Sequence, residues 1–405
     1  MIPYFQSLGE RIERAWLCHS YNEDVFPGLA LNELERDPPL RHVTPSDIID
    51  FTFDACQPFM QPGSRELFGQ PPVMVFQAAR FYIEALFWLS GTTDIHEHAF
   101  SGAFSVLAGS SVHSQWRFTQ ERVINSRMRC GRLDRISTKI LRQGDIQLIY
   151  SGGRVIHQLF HLDVPSVTIV VRTYVDRDHL PQFRYKLPGL ALAYEERDSL
   201  QARRMMFIAG MARGQIAGLR EYSRRLISSG DLETVFETFS TLLRHKVDSS
   251  FFTELLDAAR EFHGDAMDLF KEALDGERRV RVITALRSKI SAPEPRFLLA
   301  LLMLMPDRDS ILEAIRLQFP DTEPIDMIET WLTAISGKDI IGFNFNDINR
   351  LIFRGLVDRL DTDSLVLQIK GKFGDDSPYA SLEWLQEHVR KMTDSELFRP
   401  LFSSP

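Results

Sequence analysis

From about Phe76 to Val175 the chain is cut by Gly, Ser and Asp into short runs of β-branched and aromatic residues: RFYIEALFWLSG, AFSVLAGSSVHSQWRF, DIQLIYSGG, RVIHQLF and SVTIVVRTYV. Several short strands at close spacing, with few helices among them, predict an antiparallel sandwich or barrel. The texture differs on both sides. Residues 1–75 alternate helical fragments with turn clusters such as DPPLRHVTPSD and GQPPV, where Pro and Asp interrupt regular structure. After Leu187 the apolar residues take helical spacing. Between Asp231 and Lys246, Leu232, Val235, Phe236, Phe239, Leu242 and Leu243 follow an i, i+3, i+4 pattern with Asp231 placed to cap the helix. Similar stretches recur to Met392, without a fixed repeat period. The expectation is an α+β protein with an N-terminal helical extension over 1–75, a β-barrel over 76–187 and an all-α domain over 188–405.

A chain of 405 residues has ample material for a core without disulfides. Cys18, Cys56 and Cys130 are scattered and odd in number, as expected of reduced thiols. The longest apolar run, Phe297 to Met305, stops at Pro306, short of the roughly 18 residues that span a bilayer. The opening MIPYFQSLGERIERAW lacks a basic flank followed by an apolar stretch, so a cytoplasmic location is expected. A formal charge of −8 argues against a general nucleic-acid binder. The segment Arg117 to Arg142 is locally basic. It reads as a solvated hairpin, or as the lining of a cleft or docking surface for an anion.

Two histidines, His96 and His98, stand one residue apart in GTTDIHEHAFSGAFSVLAG. On a strand they share a face and can both reach one metal ion. A catalytic centre of this kind takes a third protein ligand and leaves positions open. The candidate is His157, in GDIQLIYSGGRVIHQLFH, after a turn at Gly152 and Gly153. His161 is read as an outer or surface group, and His113 as a residue that can face the same cavity.

These two stretches resemble the paired motifs of the cupin superfamily, over roughly residues 80 to 175. The resemblance implies a small double-stranded β-barrel with a divalent transition metal held by His96, His98 and His157. Where the family's first motif has a glutamate, this sequence has Gly102; the motif's closing glycine falls on Gly109. A three-histidine set is similar to that of the thiol dioxygenases, which implies Fe(II), ahead of zinc, nickel or manganese, with dioxygen and substrate taking the open positions. In those enzymes a Ser, His and Tyr on a following strand form a relay. By position these are Val170, Arg172 and Tyr174 here, so the tyrosine is kept and the histidine becomes arginine.

Arg172 and Tyr174 share a strand face. An arginine inside a small barrel needs a carboxylate or a ligand: it anchors an anionic substrate, or it pairs with Asp94, Glu84 or Asp163. Two functions follow. One is a mononuclear non-haem iron dioxygenase for a small anionic substrate, thiol-bearing or not, with Tyr174 and Arg172 at the chemistry and Arg172, His113 and Arg117 binding substrate. The other is a non-catalytic ligand-sensing protein whose helical domain contacts a partner. A homodimer through that domain is left open.

Overall fold

The computed structural model describes residues 2–53, 61, 69–89, 92–194, 199–214, 216–337 and 341–402; Cys56 and Gly91 lie outside the described residues. Two compact units, 1–278 and 279–405, divide the chain.

In the first unit, helices α1 (Pro3–Cys18), α2 (Phe26–Arg36) and α3 (Pro45–Phe53) precede eleven described strands. A sheet in the order β1-β2-β9-β4-β7 is built from Pro72–Gln77, Phe81–Trp88, Ser166–Thr173, Gly102–Ala108 and Ile146–Ile149. A closed antiparallel barrel in the order β10-β11-β6-β5-β8-β3 is built from Phe183–Lys186, Leu190–Ala193, Met128–Leu141, Ser111–Val123, Gly152–His161 and Ile95–His98. This is the α+β architecture expected, with helices before and after the strands.

Strand alternation gives the sheet two apolar faces. Phe81, Ile83 and Ala85 of β2, with Val167, Ile169 and Val171 of β9, join Phe5, Leu8, Ile12 and Trp16 of α1 in one buried cluster. The intervening Leu86, Trp88 and Val170 turn the other way and form a second cluster with Phe104 and Leu159. The spacing of Phe5, Leu8, Ile12 and Trp16 is that of one helical stripe, so α1 covers the sheet with a single face.

The barrel runs to Ala193 rather than ending near residue 187. Strand β10 pairs with β3 through Arg184↔His96, and β11 pairs with β6 through Leu190↔Cys130. FRYK and LALA were hidden by their four-residue length and by the Pro181 and Pro188 that bracket the first of them. Helices α4 (Ser199–Ala212), α5 (Leu219–Ser229), α6 (Leu232–Arg244), α7 (Ser249–His263) and α8 (Ala266–Arg287) follow. Ile208, Ile227, Phe239, Leu255 and Phe270 share a core with Met128, Leu190 and Leu192 of the barrel. Asp231 caps α6 by accepting the Thr234 amide at 2.8 Å, as expected.

The second unit is helical in its described residues and has its own core. Phe297 to Met305, Ile311, Ile328, Trp331, Ile352, Phe353 and Phe398 are all buried. Expressed alone, residues 279–405 are therefore expected to melt cooperatively with a helical circular dichroism spectrum. A coil spectrum would show that this core needs the rest of the chain.

Candidate metal centre

Alternation along β3 sets His96 and His98 on one face, and antiparallel pairing places His157 of β8 opposite His96. One nitrogen from each ring lies within 4.8 Å of the others. His98 Nε2 and His157 Nε2 are 2.9 Å apart. Two nitrogens bound at right angles to one ion, each at roughly 2.1 Å, stand about 3.0 Å apart.

All three rings are buried, and burial holds each below the usual imidazole value, His98 and His157 well below it. They are neutral at pH 7 and offer lone pairs without first losing a proton. His96 Nδ1 lies 2.8 Å from the Asp94 carbonyl oxygen, which only accepts, so Nδ1 carries the proton and Nε2 the lone pair. A fourth ring stands behind. His113 of β5 places Nε2 3.0 Å from His157 Nδ1, and burial lowers its value to about 3. The donor set and its outer contacts fit a divalent transition metal.

The histidines line a cavity of about 50 Å³, walled by Leu86, Trp88, Phe100, Phe104, Leu159 and Val170. Glu84 and Arg172 are the charged groups lining it. Arg172 Nη1 donates to Glu84 Oε1 at 3.2 Å, and its guanidinium lies 3.5 Å above the Phe100 ring. Of the two alternatives for this arginine, the structure shows the pairing with one of the named acids, and the guanidinium also lines the cavity. Its Nε is buried with no hydrogen-bond partner. Asp94 pairs instead with Lys186 at 3.3 Å, and Asp163 accepts from Ser110.

Gly102 explains the missing glutamate. A Cβ built there would stand 2.0 Å from the Val171 carbonyl oxygen, because β4 and β9 are paired at this point. No carboxylate fits at that position.

Three expected residues are not brought to the cavity, and the first, His113, stands behind His157 without lining it. Tyr174 lies beyond the end of β9, 38% exposed, and its hydroxyl donates to the Ala78 carbonyl at 3.0 Å. Alternation that keeps Arg172 inward is lost where the strand stops. Arg117 is exposed on the β5–β6 hairpin, opposite Asp134, so the basic segment is a solvated hairpin around this residue. His161 hydrogen-bonds Ser111 at 2.8 Å and stacks on Trp88, apart from the triad. Sequence reasoning gave Glu84 only as one of three partners; its signal was a lone acid in the apolar run RFYIEALFW.

Barrel and histidine triad together fit a cupin fold. No protein-family model matches the chain, and no curated protein matches it. Among solved structures, hydroquinone 1,2-dioxygenase from Sphingomonas sp. TTNP3 with 4-hydroxybenzoate bound aligns over 26% of this chain and 67% of its own. Identity is 12% and the TM-score 0.21. A cupin-2 domain protein from Shewanella frigidimarina aligns over 27% and 84%, at 14% identity and TM-score 0.17. An oxalate oxidase in complex with glycolate aligns over 35% and 64%, at 14% identity and TM-score 0.20. These overlaps leave most of the chain unmatched.

Two outcomes follow for this cupin-like barrel. Purified protein is expected to carry close to one transition metal per chain, lost on replacing any of His96, His98 or His157 with Ala. His113→Phe should weaken metal affinity about 10- to 100-fold, as loss of an outer hydrogen bond does. Elemental analysis checks both, and a triad variant with full metal would overturn the assignment.

Metal-free protein should lose stability as pH falls below about 6.5, where the unfolded chain protonates histidines that the folded chain keeps neutral. Each contributes up to about 1.4 kcal/mol per pH unit. Glu97 and Glu329, whose values burial raises, work in the opposite direction, two groups against four. Urea midpoints that stay level between pH 7 and pH 5 would sink this account.

Proposed function

We propose that the protein is a mononuclear metal-dependent oxidoreductase, an Fe(II) dioxygenase acting on a small anionic substrate. The observation that carries this reading is a set of three neutral, buried imidazoles opening on a small, mostly apolar cavity with one guanidinium in its wall. Bound at His96, His98 and His157, the ion would supply a redox-active Lewis acid with coordination positions beyond the three protein ligands.

The remaining work belongs to the chain. Leu86, Phe100, Phe104 and Leu159 exclude bulk water, which strengthens every electrostatic contact inside. Arg172 offers the substrate's carboxylate its remaining donors, while Glu84 and the Phe100 ring fix the plane of the guanidinium. His113 fixes the orientation of the His157 ring. A cavity of about 50 Å³ has room for a few water-sized groups, so the reacting end of the substrate is small. Tyr174, with its hydroxyl on a backbone carbonyl outside the cavity, has no part in this scheme.

The test is oxygen uptake by Fe(II)-loaded protein across a panel of short carboxylates, with and without a thiol. Arg172→Met should retain the metal and bind the active carboxylate about 10- to 100-fold more weakly, the worth of a charge-assisted hydrogen bond. Unchanged affinity would remove Arg172 from substrate binding. Stoichiometric metal with no oxygen uptake on any member of the panel would favour the ligand-sensing alternative.

A further inference from the structure

The face of β3 turned away from the triad carries Glu97, and this side chain opens on a second cavity of about 290 Å³. Its walls include the rings of Phe118, Phe183 and Tyr185, with Phe118 and Tyr185 centroids 5.1 Å apart. Glu97 is buried and already engaged. The Tyr185 hydroxyl donates to its Oε2 at 2.5 Å, and the Phe183 amide donates to its Oε1 at 3.3 Å. Arg129 differs. Its guanidinium is held 4.2 Å above the Phe183 ring, and it makes no ion pair among the described residues.

The Glu97 carboxylate is near enough to feel the Arg129 charge but makes no ion pair with it, and a cation fixed on an aromatic face in this way offers a planar fork of donors whose direction is set in advance. Gly153 also lines this cavity and sends no side chain into it. A Cβ built there would meet Glu97 Oε2 at 3.5 Å, so a side chain at this position would stand inside the cavity. The volume lies at the lower end of small-molecule sites, about 300 Å³ and upward.

We propose that this second cavity binds a small organic carboxylate with an apolar, ring-sized body, its carboxylate on Arg129 and its body between Phe118, Phe183 and Tyr185. The site does not depend on the metal reading, since none of the three triad histidines lines it. A cationic ligand is disfavoured because Glu97 already accepts two hydrogen bonds and Asp178, the other acid lining the cavity, is exposed to solvent, whereas Arg129 makes no ion pair among the described residues.

Calorimetric titration of the full chain with phenylacetate tests this, with 2-phenylethanol and phenethylamine as uncharged and cationic controls. Saturable binding of the acid is expected, with both controls at least tenfold weaker. Arg129→Met should weaken phenylacetate at least tenfold, and Gly153→Leu, which fills the space and removes no contact, should abolish binding. Val170→Phe, which fills the histidine cavity from the other sheet, should leave the affinity unchanged. Should Arg129→Met lower the melting temperature, Gly153→Leu carries the test. The proposal is overturned by an absence of saturable binding at millimolar probe, by equal affinity for 2-phenylethanol, or by unchanged affinity in Gly153→Leu. Loss of binding in Val170→Phe would place the probe in the histidine cavity and overturn it as well.

Discussion

Four neutral imidazoles packed against one another inside an apolar shell set the terms for the rest of the barrel. Each ring forfeits hydration on burial, and an unpaired polar atom in such a place costs a substantial share of a domain's net stability. The chain answers with local partners: the Asp94 carbonyl for His96, His98 for His157, and His113 behind His157. These contacts exist only if β3, β8 and β5 keep their registers, His96↔His157 and Gln115↔His157. A one-residue slip would turn every imidazole to the other face. The second sheet closes the shell with Leu86, Phe104 and Val170, and α1 seals that sheet from outside with a single apolar stripe.

The same alternation that gathers His96 and His98 sends Glu97 the other way. One short strand therefore serves two cavities of opposite character. On one side neutral nitrogens meet hydrocarbon; on the other a carboxylate meets a phenol, a backbone amide and aromatic rings. The long arms of β5 and β6, with β10 and β11, make the second side possible, because they close the barrel around Glu97 instead of leaving that face to solvent.

What could be read in the sequence was local. The H-x-H pair and the cap at Asp231 depend on neighbours a few residues away, and they stand in the structure where their spacing put them, whereas Gly152 and Gly153, expected to form a turn, open strand β8. What could not be read was set by pairing over long sequence separations. Strands β10 and β11 close the barrel against β3 and β6, about 90 and 60 residues earlier, and four-residue strands carry too little alternation to announce themselves. Tyr174 lies one step past the end of β9, and Arg117, which alternation from His113 through Gln115 would turn toward the cavity, lies where β5 runs out into its exposed arm. Glu84 became visible as a site residue only when register put it across from Val170, within reach of Arg172.

The chain of rings from His98 through His157 to His113 also constrains how an ion would enter. Neutral His157 has one proton for two contacts. It can give that proton to His98 through Nε2 while accepting from His113 at Nδ1, or donate from Nδ1 to His113 and accept from His98. Were an ion held through Nε2 of both His98 and His157, the proton of His157 would have to point toward His113. The rearrangement shifts protons between nitrogens within neutral rings and releases none. His113 is in this sense part of the ligand set without touching the ion: its Nε2 must be free to accept, which a protonated imidazole could not do, and burial keeps it unprotonated down to about pH 3.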